Sequence, residues 1–173
     1  MSNLKPTNRA VAHIQSLYVP QILRDQILAA AARAFPQECC GLIAGVAGGE
    51  GGQALTVHET PNLAPDPARN FLVDPQQHFE LLRALRGTGR QIIGCFHSHP
   101  NGRAEPSPTD LERALEDGFI WLIASSGAAD AEAFHLNAFV YEAAARSFFI
   151  CSWTAARRIC ACGDFGDTFT SLL

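Results

Sequence analysis

Apolar positions along this chain switch repeatedly between a helical and a strand period. Between Pro20 and Pro36, Ile22, Leu23, Ile27, Ala30, Ala31 and Ala34 recur at helical spacing, which predicts an amphipathic helix. "CGLIAGV" and "ALTVHET" read as short strands on either side of the glycine-rich run Gly45 to Gln53, a hairpin. In "DPQQHFELLRALRG", Asp74 is placed to cap a second helix, Pro75 to open it, Gln77 to complete a capping box and Gly87 to stop it. "RQIIGCFHSH" predicts a buried strand, "SPTDLERALEDG" a third helix ending at Gly118, and "FIWLIAS" another buried strand. In "AFHLNAFVYE", Phe134, Leu136, Ala138 and Val140 alternate with His135, Asn137, Phe139 and Tyr141, so that strand has two unlike faces. Strands alternating with helices around a mainly buried sheet predict an α/β fold.

Composition narrows this to a folded single domain. The chain has 173 residues, 47% hydrophobic and 17% charged, with no repeat and no low-complexity block beyond the glycine run. A net charge of −4 with dispersed arginines offers no basic face for phosphates, so nucleic acid is not an expected partner. The opening "MSNLKPTNRAVAHIQ" has no apolar signal region, and no window holds about 18 uninterrupted apolar residues, so no membrane partner and a cytoplasmic location are expected. The six cysteines then read as reduced thiols. Lys5 is the single lysine, which a GC-rich coding bias explains.

The chemistry concentrates in "CFHSHPNGRAEPSPTD", Cys95 to Asp110. On an extended strand, side chains two apart share a face, so His97 and His99 can aim both imidazoles at one point. A catalytic zinc commonly takes two histidines and a carboxylate and keeps one position for water, and Asp110 is the natural third ligand. The turn-rich "PNGRAEP" can fold the next helix start back against the histidines. Ser107, Pro108 and Asp110 also fit an ordinary helix N-terminus with no metal, and a His-x-His pair alone is often only a buried polar pair. Hydrolysis further needs a proton shuttle, for which Glu38 in "PQECCGLIAG" is the candidate, although an acid at such a junction is usually a solvated surface residue. His58, His78 and His135 have no partner at ligand spacing. Cys95 reads as a small buried side chain under the histidines, Cys39 and Cys40 as core or strand-edge residues, and Cys160 and Cys162 are too few for a structural zinc site, even with Cys151.

Glu38-Cys39-Cys40-Gly41-Leu42, then His97-Ser98-His99-Pro100, then Pro106-Ser107 and Asp110 resemble the motif set of the JAMM (MPN+) metallopeptidases. The likeness spans roughly residues 17 to 142 and includes "TPN" at Thr60 to Asn62 and "FLVDP" at Phe71 to Pro75. It implies a curved mixed β-sheet flanked by helices, MPN-like with cytidine-deaminase-like layering. A catalytic domain over residues 17–150 with an N-terminal extension at 1–16 is expected; beyond the reach of the resemblance, the large apolar residues Trp153, Ile159, Phe165, Phe169, Leu172 and Leu173 predict that the C-terminal segment, 151–173, packs on the domain or at an oligomer contact. By resemblance, His97, His99 and Asp110 bind Zn2+, Glu38 acts as general base and then general acid, and Ser107 donates to the oxyanion. The implied reaction is cleavage after the C-terminal glycine of a ubiquitin-like or sulfur-carrier β-grasp protein, in maturation or deconjugation, sulfur metabolism or an antiphage system. The alternative is a noncatalytic scaffold of the same fold, which would be expected to lack one or more of these five residues. A zinc nucleobase deaminase would need His-x-Glu and Pro-Cys-x-x-Cys, and neither occurs. The short run from Asp110 to Tyr141 leaves no room for linkage-selecting insertions, so a compact enzyme reading a tail is expected.

Overall fold

The computed structural model describes residues 15–48, 51–126 and 134–155. In chain order the elements are β1 (Ser16–Tyr18), α1 (Gln21–Ala34), β2 (Cys40–Gly48), β3 (Gly51–Thr60), α2 (Pro75–Leu85), β4 (Gln91–His99), α3 (Pro108–Arg113), β5 (Ile120–Ser126), β6 (Phe134–Glu142), β7 (Ser147–Ile150) and β8 (Ser152–Thr154). The strands form one mixed sheet in the order β7-β6-β5-β4-β2-β3-β1-β8. The β2–β3 hairpin is antiparallel, β4 pairs antiparallel to β2 and parallel to β5, and register shifts near Ile43 to Gly45 bend β2.

α1 lies on one face of the sheet. Leu23, Ile27, Ala30 and Ala31 are buried there against Phe96, Ile120, Leu122, Leu136 and Val140. The small alanines let the helix approach the strands closely, while Leu23 and Ile27 each contribute at most about 1.5–3 kcal/mol of apolar burial. Ile22, expected on the same stripe, is instead 64% exposed. The opposite face carries Cys40, Cys95, Trp121, Ile123, Phe139 and Tyr141, with Phe71 and Ala114 packed over them. β6 therefore has the two unlike faces its alternation predicts, both of them apolar along its second half.

β7 and β8 stand at opposite ends of the strand order, yet only Cys151 separates them in the chain. The sheet curls until its margins meet at this buried residue, whose N–H donates to the Ala138 carbonyl while the Ser152 N–H donates to Gln15. Closure of this kind removes exposed edges. Ser16 and Cys151 to Thr154, on either side of the expected 17–150 span, thus belong to the sheet, and Trp153 packs against the α1-side core. The remainder of the expected end segments, residues 1–14 and 156–173, lies outside the described residues.

Two helix expectations need correction. α3 stops at Arg113, short of Gly118, because Ala114 turns extended (φ −73°, ψ 116°) and drops its methyl into the second apolar cluster. Gly118, at φ 75°, makes the turn into β5. In α2 the Asp74 carboxylate accepts from the Gln76 N–H, so the cap is as expected, but the reciprocal capping box is found at α3.

Gly41 packs so tightly between strands that a Cβ there would collide with the His58 carbonyl and the Phe96 ring. Gly41→Ala is expected to destabilise the protein by about 2 kcal/mol or more in chemical denaturation, as overpacking of a rigid backbone does. A change within about 0.5 kcal/mol would show that this contact yields.

Candidate metal centre

The end of β4 presents its odd residues to the α2–α3 side, and His97 and His99 are both buried there. Their Nε2 atoms lie 2.9 Å apart. Asp110 Oδ1 is 3.5 Å from His97 Nε2, and Oδ2 is 3.4 Å from His99 Nε2.

Local sequence explains how Asp110 arrives. Past His99 the chain turns, with the Gly102 N–H donating to the His99 carbonyl, Gly102 at φ 82°, and the Arg103 N–H donating to Asn101 Oδ1. That turn delivers the Arg103 carbonyl to His99 Nδ1 at 2.8 Å, so Nδ1 carries a proton and Nε2 is the atom turned toward His97 and Asp110. The Asn137 side-chain amide on β6 holds the Ala104 carbonyl and braces the loop. α3 then starts with a capping box: the Asp110 N–H donates to Ser107 Oγ (3.1 Å) and the Ser107 N–H donates to Asp110 Oδ2 (2.7 Å). The plain helix-start reading and the site reading are thus both satisfied by the same atoms. Because Ser107 Oγ is the acceptor in that box, its hydroxyl proton is left to be donated elsewhere.

His97 is held differently. Its Nδ1 is buried without a hydrogen-bond partner among the described residues, and its ring is gripped by aromatics: Phe71 stacks on it at 4.3 Å and 21°, and Trp121 meets it edge-on at 5.8 Å.

Glu38 is 6% exposed, in the segment entering β2. Ser98, the residue between the histidines, faces the other side of the sheet and fixes that segment: the Cys39 N–H donates to Ser98 Oγ (2.9 Å) and the Ser98 N–H donates to the Cys39 carbonyl (3.1 Å). The Glu38 N–H donates to Pro67 and its carbonyl accepts from Asn62. The sequence names Glu38 as a candidate, while Ser98, Asn62 and Phe71 reach this segment or the His97 ring through contacts that its motifs do not announce. The capacity of Ser98 to reach backbone groups across a strand pair was the signal to follow.

Burial pushes the Glu38 carboxyl up to about 7, aided by the negative charge of Asp110 and opposed by His99. For Asp110, burial opposes ionisation, but the hydrogen bonds from His97 and His99 outweigh it and hold the carboxyl well below the usual carboxylate range. Burial pulls His97 below the ordinary imidazole value. In His99 burial acts the same way, but Asp110 overcomes it and raises the value.

The donor set fits one small cation. Three ligands about 2.0–2.1 Å from a common centre in a tetrahedral arrangement stand roughly 3.3 Å apart, close to the separations seen. Two histidine nitrogens facing each other with a carboxylate across them match the chemistry of a zinc-type site, and His97, His99 and Asp110 form the one group of this kind among the described residues. The other candidates fall elsewhere. His58 is exposed on β3 and bonds Thr56, His135 is exposed on β6, and His78 is half-buried on α2. Cys95 and Cys40 lie buried in the apolar layer with the histidines, Cys39 on the α1 side, and Cys160 and Cys162 outside the described residues. Among the described residues no helix is long and apolar enough to cross a membrane.

Two outcomes follow from these ionisations. A carboxyl whose folded value is raised favours folding below its ordinary value of 4.5, and that contribution is lost as pH rises through about 7. Glu38→Gln is therefore expected to match the metal-free parent near pH 4.5 and to be more stable by about 1–3 kcal/mol at pH 8, measured by denaturation. A pH-independent difference would contradict the buried charge. Metal must displace the proton that Asp110 helps His99 to hold, so as pH falls zinc affinity is expected to start weakening before pH 6.5 is reached and then to drop by roughly tenfold per pH unit. Affinity that stays constant between pH 8 and pH 5.5 would exclude His99 as a ligand.

Residues 20–139 match the family described as prokaryotic homologs of the JAB domain. The chain is 35% identical over 106 residues to a desampylase of Haloferax volcanii, covering 59% of this chain and 75% of that protein. It is 38% identical over 98 residues to a probable TtuB-protein conjugate cleaving protease of Thermus thermophilus, covering 57% of this chain and 63% of that relative's length. A solved protein of Desulfitobacterium hafniense superimposes with a TM-score of 0.69 at 25% identity, covering 80% of this chain and 91% of that one. With the family match running from the start of α1 to the middle of β6 and enclosing all five expected site residues, this chain belongs to the prokaryotic JAB-domain family.

Proposed function

We propose that this chain is a zinc-dependent peptidase or isopeptidase of the JAMM type that cleaves after the C-terminal glycine of a ubiquitin-like or sulfur-carrier β-grasp protein. The observation that carries the reading is the convergence of His97 Nε2, His99 Nε2 and the Asp110 carboxylate beside a buried Glu38. His97, His99 and Asp110 would hold the zinc, which when bound would supply Lewis-acid polarisation and lower the pKa of water. Glu38 takes the proton from the attacking water and passes it to the leaving amine. A carboxyl at about 7 suits both halves of that transfer. Ser107 directs its free hydroxyl proton at the oxyanion. A noncatalytic scaffold has no use for a buried Glu38 whose carboxyl is pushed up to about 7, which argues for the enzyme.

The names of the Haloferax and Thermus relatives support a protein conjugate as substrate. A groove of about 790 Å3 runs from Ser107 and Leu111 past Phe139 and Phe148 to Trp153, and an extended tail fits such a channel. Glycines at the end of that tail would let the backbone approach the buried His97, His99 and Asp110 without a Cβ in the way. Cys39, Cys40 and Cys95 are buried thiols with no disulfide, in keeping with action in the cytoplasm.

Purified chain is expected to hold about one zinc. His97→Ala and Asp110→Ala should lose both metal and cleavage of a β-grasp conjugate. Replacing the glycine before the scissile bond with leucine should stop cleavage by the parent enzyme. Full activity of His97→Ala would remove the metal assignment, and equal cleavage of the leucine substrate would remove the glycine-tail assignment.

A further inference from the structure

The segment from Pro61 to Val73, between β3 and α2, contains no helix or strand, yet it touches both halves of the site. Its Phe71 ring lies on His97, and its Pro67 carbonyl accepts the Glu38 N–H (2.7 Å). Asn62 organises it. One Nδ2–H donates to the Glu38 carbonyl (2.9 Å) and the other to the Asn70 carbonyl (2.9 Å), while Oδ1 accepts from the Ala64 N–H (3.0 Å) and the Leu72 N–H (3.0 Å). Both donors and both acceptor sites of one amide are in use, a set that a side-chain amide alone among the amino acids can offer. From the far side the Arg113 guanidinium donates to the Phe71 carbonyl (2.6 Å), tying the same segment to the helix that carries Asp110.

We propose that Asn62, with Arg113 as its counterpart, is a positioning residue for the reaction: the pair locks Glu38 and the Phe71 cover of His97 into one rigid unit. The assignment rests on the metallopeptidase reading given above. Ordinary loop packing needs none of this cross-linking to the Glu38 backbone. A proton shuttle does, because a shift of about 1 Å in a reacting group lowers rate far more than it lowers affinity for a distant tail. A ligand ring whose second nitrogen has no hydrogen-bond partner depends likewise on its stacking partner for orientation.

Asn62→Asp keeps both acceptors and deletes both donors. Asn62→Ala deletes all four bonds. Arg113→Gln changes an exposed side chain and leaves the core intact. With zinc saturating, Asn62→Asp is expected to lower kcat on a β-grasp conjugate at least about tenfold with KM within about twofold, and Arg113→Gln to lower kcat by a smaller factor with KM unchanged. Asn62→Asp combined with Glu38→Gln should be no slower than Glu38→Gln alone, since both act through the same carboxylate. Independently of turnover, chelator competition should show about tenfold weaker zinc affinity in Asn62→Ala. Wild-type kcat per zinc-loaded chain in both Asn62→Asp and Arg113→Gln, with only melting temperature lowered, would reduce Asn62 to a structural residue and overturn the proposal. If Asn62→Asp does not fold, wild-type kcat in Arg113→Gln alone overturns it. Full activity of Glu38→Gln would instead bring down the metallopeptidase reading beneath it.

Discussion

The Asp110 carboxylate is the pivot of this protein, because the same two oxygens must end a loop, start a helix and face two imidazoles. A carboxylate that is 4% exposed has to be compensated several times over, and here the Ser107 N–H, His97 Nε2 and His99 Nε2 share that task. The capping box sets where the carboxylate points before any metal is considered. The strand period at the end of β4 sets where the imidazoles point, and the Asn101–Gly102 turn brings the two together. Substituting Asp110 would leave a helix start, a buried imidazole pair and a metal position unsatisfied at once, so fold and site cannot be separated at this residue.

Around that pivot the two faces of the sheet divide the work. The α1 face is conventional apolar packing, closed at its margins by Cys151, and it supplies the stiffness that holds β4 in register. The other face is where polar groups are buried. There the protein keeps Glu38 charged only at the expense of stability above neutral pH, and covers His97, whose Nδ1 has no hydrogen-bond partner among the described residues, with aromatic rings. Such local losses are what a reactive site costs, and the apolar α1-side core behind them offsets them.

Much of this was legible in the chain. His97, His99, Ser107 and Asp110 announce themselves because a strand's two-residue period and a helix's capping box are local rules, and each places a side chain without reference to distant sequence. Helix starts at Pro20, Asp74 and Ser107 were readable for the same reason. The end of α3 was not, since Ala114 leaves the helix to fill a tertiary gap that no local pattern records. β1 and β8 are three residues long; they pair with each other across more than a hundred positions, and β1 also pairs with the distant β3. Asn62, Phe71, Ser98 and Arg113 shape the site through backbone contacts made across long sequence separations, and such contacts leave no periodicity behind. Asn62 and Phe71 lay in segments that drew notice through resemblance, but only the fold shows what they touch.

The most direct test of this account is the zinc-edge X-ray absorption spectrum of the purified, metal-loaded protein. It should show a four-coordinate shell of nitrogen and oxygen at about 2.0–2.1 Å with the outer-shell pattern of two imidazoles. A sulfur scatterer at about 2.3 Å would move the metal to the cysteines, and a shell without imidazole would show that His97 and His99 converge for another reason.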